Sequence, residues 1–192
     1  MLSLPLAPDA ELTTLEPWQA DEFAEHMDRH REHLAPWIPL AHTITDTESA
    51  RELLQRYADR QANGAGRLLG IRLRGELVGA ILFPQFDAAT GNCELGVWLA
   101  PHAQGHGLIT KAAQLMIDWA FEVRGMHRIE WITMPANERS KAVAKRLGMT
   151  LDGVMRESYL FGGRRHDAEI WSLLVTDPRP WTLGTDHSKT PS

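Results

Sequence analysis

Cysteine is nearly absent: a single residue, Cys93, in 192 excludes an intrachain disulfide and a cysteine-based zinc site, and fits a reducing compartment. No apolar run approaches the roughly 20 residues that cross a bilayer, so no membrane partner is expected. The first stretch, 1–11, has no Lys or Arg and carries Pro5 and Pro8 within its apolar part, so no secretory signal is expected there. Positive charge is also short. Twenty Lys and Arg against 25 Asp and Glu give a net charge of −5, which argues against a broad phosphate-neutralising surface and direct contact with nucleic acid. No internal repeat or interior linker is visible. The expectation is a soluble cytoplasmic protein.

With 43% hydrophobic and 23% charged residues the chain can bury an ordinary core. Its length suits one domain, placed at 1–175, followed by a polar tail at 176–192 in which Trp181 is the residue able to pin part of it down. The pattern predicts a strand at 11–16, a helix at 17–34 that stops before Pro36, and a helix at 46–61 capped by Thr45 or Asp46. A hairpin follows, 67–73 with 76–83, turning at Arg74-Gly75. Then come a strand at 93–99, an amphipathic helix at 108–123, a strand at 127–134 and a helix at 137–147 ended by Gly148. Strands 149–159 and 165–175 close the chain as a hairpin around Gly162-Gly163. The class is α/β, with a strand-loop-helix unit interrupting the centre of the sheet.

That central unit carries the chemistry. Glu94 to Leu99 runs into a loop holding Gly105 and Gly107, and the loop opens a helix at Leu108. Glycines permit positive φ, and the unpaired N–H groups of a first helical turn attract a diphosphate. A Walker A loop is absent, because no Gly-Lys-Ser/Thr follows. A dinucleotide fingerprint would need a third glycine where Thr110 stands. A plain glycine turn and the pyrophosphate loop of acetyl-CoA-dependent acyltransferases remain.

The surroundings favour the last. His33-Leu-Ala-Pro-Trp-Ile-Pro39, Glu94-Leu-Gly-Val-Trp-Leu99, Gln104-Gly-His-Gly-Leu-Ile-Thr-Lys-Ala-Ala113, Asn137-Glu-Arg-Ser140 and the closing Asp152-to-Asp167 segment, in that order and spacing, resemble the GNAT N-acetyltransferases. Within them the chain resembles the RimL/RimJ branch that acetylates ribosomal-protein N-termini. The resemblance implies the acyl-CoA N-acyltransferase fold: a mixed, mostly antiparallel sheet of seven strands, splayed at its centre and flanked by about four helices. It implies acetyl-CoA as co-substrate and no metal. The family loop ends in a small residue where this chain has Ile109, leaving two glycines to shape the phosphate nest.

By the same resemblance, the amides of Val97, Trp98 and Leu99 bind the pantetheine arm and supply an oxyanion donor, and Gln104, Gly105, His106, Gly107, Leu108, Ile109 and Thr110 hold the diphosphate. Asn137 binds a pantetheine amide, and the Ser140 hydroxyl protonates the departing thiolate; the competing reading is a simple N-cap. Glu94, a carboxylate on a central strand, is a candidate base for the incoming ammonium, against a plain salt bridge to an arginine. Glu157 is the weaker candidate, because the match slips by one position there. His166 is expected near the acceptor cleft and His106 is expected to point outward. His26, His30 and His33 share metal-like spacing on a helix, but the charged residues around them favour a solvated face. Cys93 is expected to pack as a small hydrophobe.

The expected reaction is direct transfer to a primary amine, with a protein N-terminus as the first choice. The alternatives are a small amine (polyamine, amino sugar, antibiotic peptide) or a non-catalytic acyl-CoA sensor. The apolar cluster Trp37, Ile38 and Pro39 is expected to line the acceptor cleft or a homodimer contact.

Overall fold

Asp46 caps a helix as its position before an amphipathic run predicts. Its carboxylate accepts the Ser49 N–H at 2.8 Å, and α3 (Thr47–Ala62) buries Ala50, Leu53, Leu54 and Tyr57 at helical spacing. The preceding helix, α1 (Ala20–Leu34), follows a single 3₁₀ turn at Pro17–Gln19 and stops one residue short of Pro36. Between them lies α2 (Leu40–Thr43), a short turn fastened by Arg31 of α1, whose guanidinium donates to the carbonyls of Ala41 and Ile44.

The structure is a computed structural model that describes residues 3–181. Its strands are β1 (Ser3–Ala7), β2 (Ala10–Thr14), β3 (Leu68–Leu73), β4 (Glu76–Asp87), β5 (Asn92–Leu99), β6 (Arg128–Thr133), β7 (Thr150–Phe161) and β8 (Arg164–Leu174). They form one sheet in the order β1-β2-β3-β4-β5-β6-β8-β7, antiparallel throughout except where β5 meets β6. α4 (Leu108–Asp118) connects those two strands, its last turn widening into a π turn at Trp119–Val123, and α5 (Glu138–Arg146) follows β6. α4 and the Val143–Leu147 end of α5 pack one face of the sheet, in the core of Leu95, Leu99, Met116 and Trp131. α1 and α3 cover the other face, packing Phe23, Met27 and Leu54 against Leu82 and Trp98.

The expected sheet of seven strands has eight, and among the described residues there are five α-helices where about four were expected. The added strand, β1, contains Pro5. Its missing N–H is tolerated because β1 is an edge strand, bonded on one side only. The added helix, α2, is one turn long and leaves no periodic signal. The start of the expected tail is held down: Trp181 donates to both carboxylate oxygens of Asp118, and Arg179 pairs with Asp118 and Glu122. The rest of the tail lies outside the described residues.

Two backbone features build the gap at the centre. β4 carries an extra residue between Leu82↔Gly96 and Gln85↔Glu94, a bulge that increases local twist. β5 and β6 pair only at Asn92↔Arg128, Cys93↔Ile129 and Glu94↔Glu130, and beyond Glu94 they part. Gly79 lets β4 and β5 stay in contact on the far side, since a Cβ there would lie 2.3 Å from the Trp98 carbonyl oxygen.

Candidate active site

Past Glu94 the parted strands open into a cleft of about 910 Å³. Its lining includes the end of α1, residues 37–40, Tyr57 of α3, both parted strands, the start of α4 and one side of α5. The Ala100 N–H bonds the Val78 carbonyl at 2.7 Å, and Gly79↔Leu99 and Ala80↔Trp98 are partners. Antiparallel pairing alternates its donors, so the N–H groups of Val97 and Leu99 point into the gap while that of Trp98 points at β4. This corrects the expectation for Trp98, whose amide is spent within the sheet. Its indole contributes to the cleft wall and donates to His26 Nε2 at 3.3 Å.

The loop after β5 keeps its positive-φ glycines, Gly105 at +86° and Gly107 at +70°. Gly107 is the N-cap of α4, with no side chain capping the helix and no acidic residue in its first turn. The N–H groups of Leu108, Ile109 and Thr110 therefore have no partner a turn earlier and no carboxylate competing for them. Gln104, Gly105, Gly107, Leu108, Ile109 and Thr110 all line the cleft; His106 is exposed and lies outside the lining. Ile109, at the family's small position, is half-buried against the core. The open donors and the unobstructed space over both glycines fit a diphosphate, and the gap at β5 fits an extended amide-bearing arm.

Glu94 lines this cleft and its carboxylate makes no hydrogen bond or ion pair among the described residues, so the expected alternative of an arginine partner is not met. Burial pushes its carboxyl above the ordinary range, and the charge of Glu130 adds to the effect. Both tyrosines of the chain, Tyr57 and Tyr159, line the same cleft. Their phenols are raised first by burial and further by the nearby Glu94 charge. No local pattern announces this grouping: Tyr57 reads as part of a helix core stripe and Tyr159 as a strand end.

Asn137 is an N-cap, its Oδ1 accepting the Ser140 N–H at 3.1 Å, and both residues line the cleft. Ser140 Oγ accepts a hydrogen bond from Trp131 Nε1 at 2.8 Å. Gln104 bridges the cleft mouth: its amide contacts His33 Nε2 at 3.0 Å and accepts from Arg139 Nη1 at 3.0 Å.

Other expected groups stand elsewhere. Glu157 is exposed and absent from the cleft lining, because the register slips between Met155↔Ala168 and Tyr159↔His166 and lifts it onto a bulge at φ +51°. His166 contacts the Phe161 carbonyl and also lies outside the lining. The solvated histidine face is overturned at His26, which is 4% exposed and packed between Trp98 and His30, while His30 and His33 are half-buried. Burial, with His30 beside it, lowers His26 to about 4. Cys93 packs in the core as expected, its thiol pushed up to about 12 by burial.

A parted parallel pair followed by a glycine turn and a bare helix start defines an acyl-CoA-dependent transferase. The GNAT acetyltransferase domain model matches residues 11–150, and the chain belongs to that family, whose co-substrate is acetyl-CoA. Bacillus subtilis (strain 168) YdaF, provisionally named a ribosomal N-acetyltransferase, is 31% identical over 165 residues, covering 83% of this chain and 88% of its own. The spermidine N(1)-acetyltransferase of Escherichia coli (strain K12) is 22% identical over 163 residues, covering 84% and 85%. RimL, a ribosomal L7/L12 α-N-protein acetyltransferase solved with coenzyme A, superposes with a TM-score of 0.84 at 21% identity, covering 90% of this chain and 98% of that one.

Proposed function

We propose that the protein acetylates the α-amine of a protein N-terminus, of the ribosomal-protein kind, by direct transfer within a ternary complex. The observation that carries this reading is Glu94. Among the described residues it is the sole Asp or Glu in the cleft lining and its carboxylate is unpaired, and the basic residues His33, Arg139 and Arg146 share the walls with it. An α-amine, with pKa about 7.8, loses its proton at neutral pH for roughly 3.5 kcal/mol less than a lysine amine of about 10.4. A single carboxylate of raised pKa suits that task. A polyamine carries further ammonium groups, and among the described residues no second carboxylate lines the cleft to receive them. The names of YdaF and RimL support the same acceptor class.

In this reading Glu94 takes the ammonium proton, directly or through water, and the neutral amine attacks the thioester carbonyl. The Val97 or Leu99 N–H stabilises the developing oxyanion, the Leu108–Thr110 amides hold the diphosphate and Asn137 steadies the pantetheine arm. Ser140 protonates the leaving thiolate.

The test is CoA release with hexapeptides of varied first residue, the same peptides N-blocked, and spermidine. Free N-termini should be acetylated, with the modification mapped to the α-nitrogen by mass spectrometry, and blocked peptides should be inert. Faster turnover of spermidine than of every free peptide overturns the acceptor assignment. Stabilisation by acetyl-CoA without CoA release on any acceptor favours a sensor.

A further inference from the structure

Trp131 has no role in the scheme above, yet its only polar atom is committed to one of that scheme's catalytic groups. The residue is 2% exposed, lies on β6 opposite Trp171 of β8, and donates from Nε1 to Ser140 Oγ at 2.8 Å. We infer that Trp131 is a positioning residue for the protonation of the leaving thiolate, acting through the hydroxyl of Ser140. The inference rests on the proposed role of Ser140.

A serine hydroxyl has one proton and two acceptor lone pairs. An indole N–H only donates, so the Ser140 proton cannot point at Trp131. A helical serine commonly turns its hydroxyl back to a carbonyl one turn earlier, which would hide the proton. Ser140 Oγ makes no hydrogen bond other than the one from Trp131 among the described residues. Its backbone is fixed separately, by Asn137 Oδ1 on its N–H at 3.1 Å. The side chain is thus held from the core side by a rigid, buried donor, leaving its proton for the cleft that both residues line.

The same bond serves the chemistry. As the carbon–sulfur bond breaks, the sulfur keeps the electron pair; the Ser140 O–H bond breaks and an S–H bond forms. The negative charge left on Oγ faces an N–H already in place, and a charge-assisted bond of that kind is roughly twice as strong as a neutral one. Ser140 recovers its proton from the nitrogen that has just been acylated, directly or through water. The net change is one proton moved from nitrogen to sulfur.

The experiment replaces Trp131 with 3-benzothienylalanine, which keeps the ring shape and exchanges N–H for sulfur, and with Phe as an encoded variant. Each is measured in the wild-type and Ser140→Ala backgrounds, with the hexapeptides and spermidine as acceptors and thermal melting as the folding control. The benzothienyl variant should melt close to wild type and lose about tenfold in kcat, with KM for acetyl-CoA unchanged. In the Ser140→Ala background neither replacement should lower kcat further beyond what its melting explains. An equal further loss there overturns the inference, because the indole would then act independently of the hydroxyl. Wild-type turnover in the benzothienyl variant, alongside a slow Ser140→Ala enzyme, also overturns it while sparing Ser140 as the acid. Full turnover by Ser140→Ala removes the acid and the inference together. No CoA release by wild type with any acceptor removes the proposed function itself.

Discussion

Glu94 and Glu130 are partners across the last rung that β5 shares with β6. They stand in unlike company: Glu130 is bonded by Arg128 Nε at 2.8 Å, and Arg128 also reaches Asp152 at 2.6 Å, whereas Glu94 has no cation partner among the described residues. Burial raises the Glu94 carboxyl, and the nearby Glu130 adds to it. On the proposed reading Glu94 is the base and works in its ionised form, so activity should climb as pH rises through its pKa. Glu130→Gln should move that limb to lower pH, because it removes a like charge. Glu94→Gln should abolish the limb and lower kcat/KM by about a hundredfold. A pH–rate profile of Glu130→Gln that superposes on wild type would count against the coupling.

Two glycines should respond differently to alanine. At Gly79 the new Cβ would meet the Trp98 carbonyl at 2.3 Å, so Gly79→Ala should destabilise the fold by about 1–3 kcal/mol and lower the melting temperature. At Gly107 nothing lies within 4 Å, and the cost is the left-handed conformation alone, about 1–2 kcal/mol. If Gly107 shapes the diphosphate nest, its alanine variant should lose more affinity for acetyl-CoA in calorimetry than Gly79→Ala does.

His26 sets an acid limit on stability. The unfolded imidazole takes up a proton near 6.5, while the folded one, buried beside His30, resists until about 4. The stabilisation is therefore complete above about pH 6.5 and is lost as pH falls toward 4, amounting to on the order of 2 kcal/mol between pH 7 and 5. Denaturation midpoints should fall less steeply over that window in His26→Gln than in wild type. Parallel slopes would show that His26 is not the group responsible.

Arg139 touches Gln104 at the entrance to the glycine loop proposed to hold the diphosphate. Arg139→Ala should weaken acetyl-CoA binding, by about tenfold at low ionic strength and by less at high salt, because the charge is exposed and screened. Titration calorimetry at two salt concentrations tests this, and an unchanged dissociation constant at low salt would argue against contact with the diphosphate.

What was legible in the sequence followed from local rules. Asp46, Asn137 and Gly148 mark helix ends through capping and turn chemistry, and the Gly105–Gly107 spacing exposes a helix start; all of these act within a few residues. What stayed hidden depends on register and on distant elements. The bulge that removes Glu157 from the cleft comes from a slip against β8, and alternation along β7 cannot announce it. The orientation of the Trp98 amide depends on which rungs of β4 are donors, and the burial of His26 depends on α1 lying over β5. Tyr57 and Tyr159 are 102 positions apart by their numbers and meet only in the folded cleft.

With three shared rungs between β5 and β6, the sheet is in effect two panels joined at a short seam: β1 to β5 on one side, and β6, β8 and β7 on the other. A molecule lodged in the opening would touch both panels at once. Loading the coenzyme and tightening the protein would then be a single event, and the emptied enzyme would be the looser of its two forms.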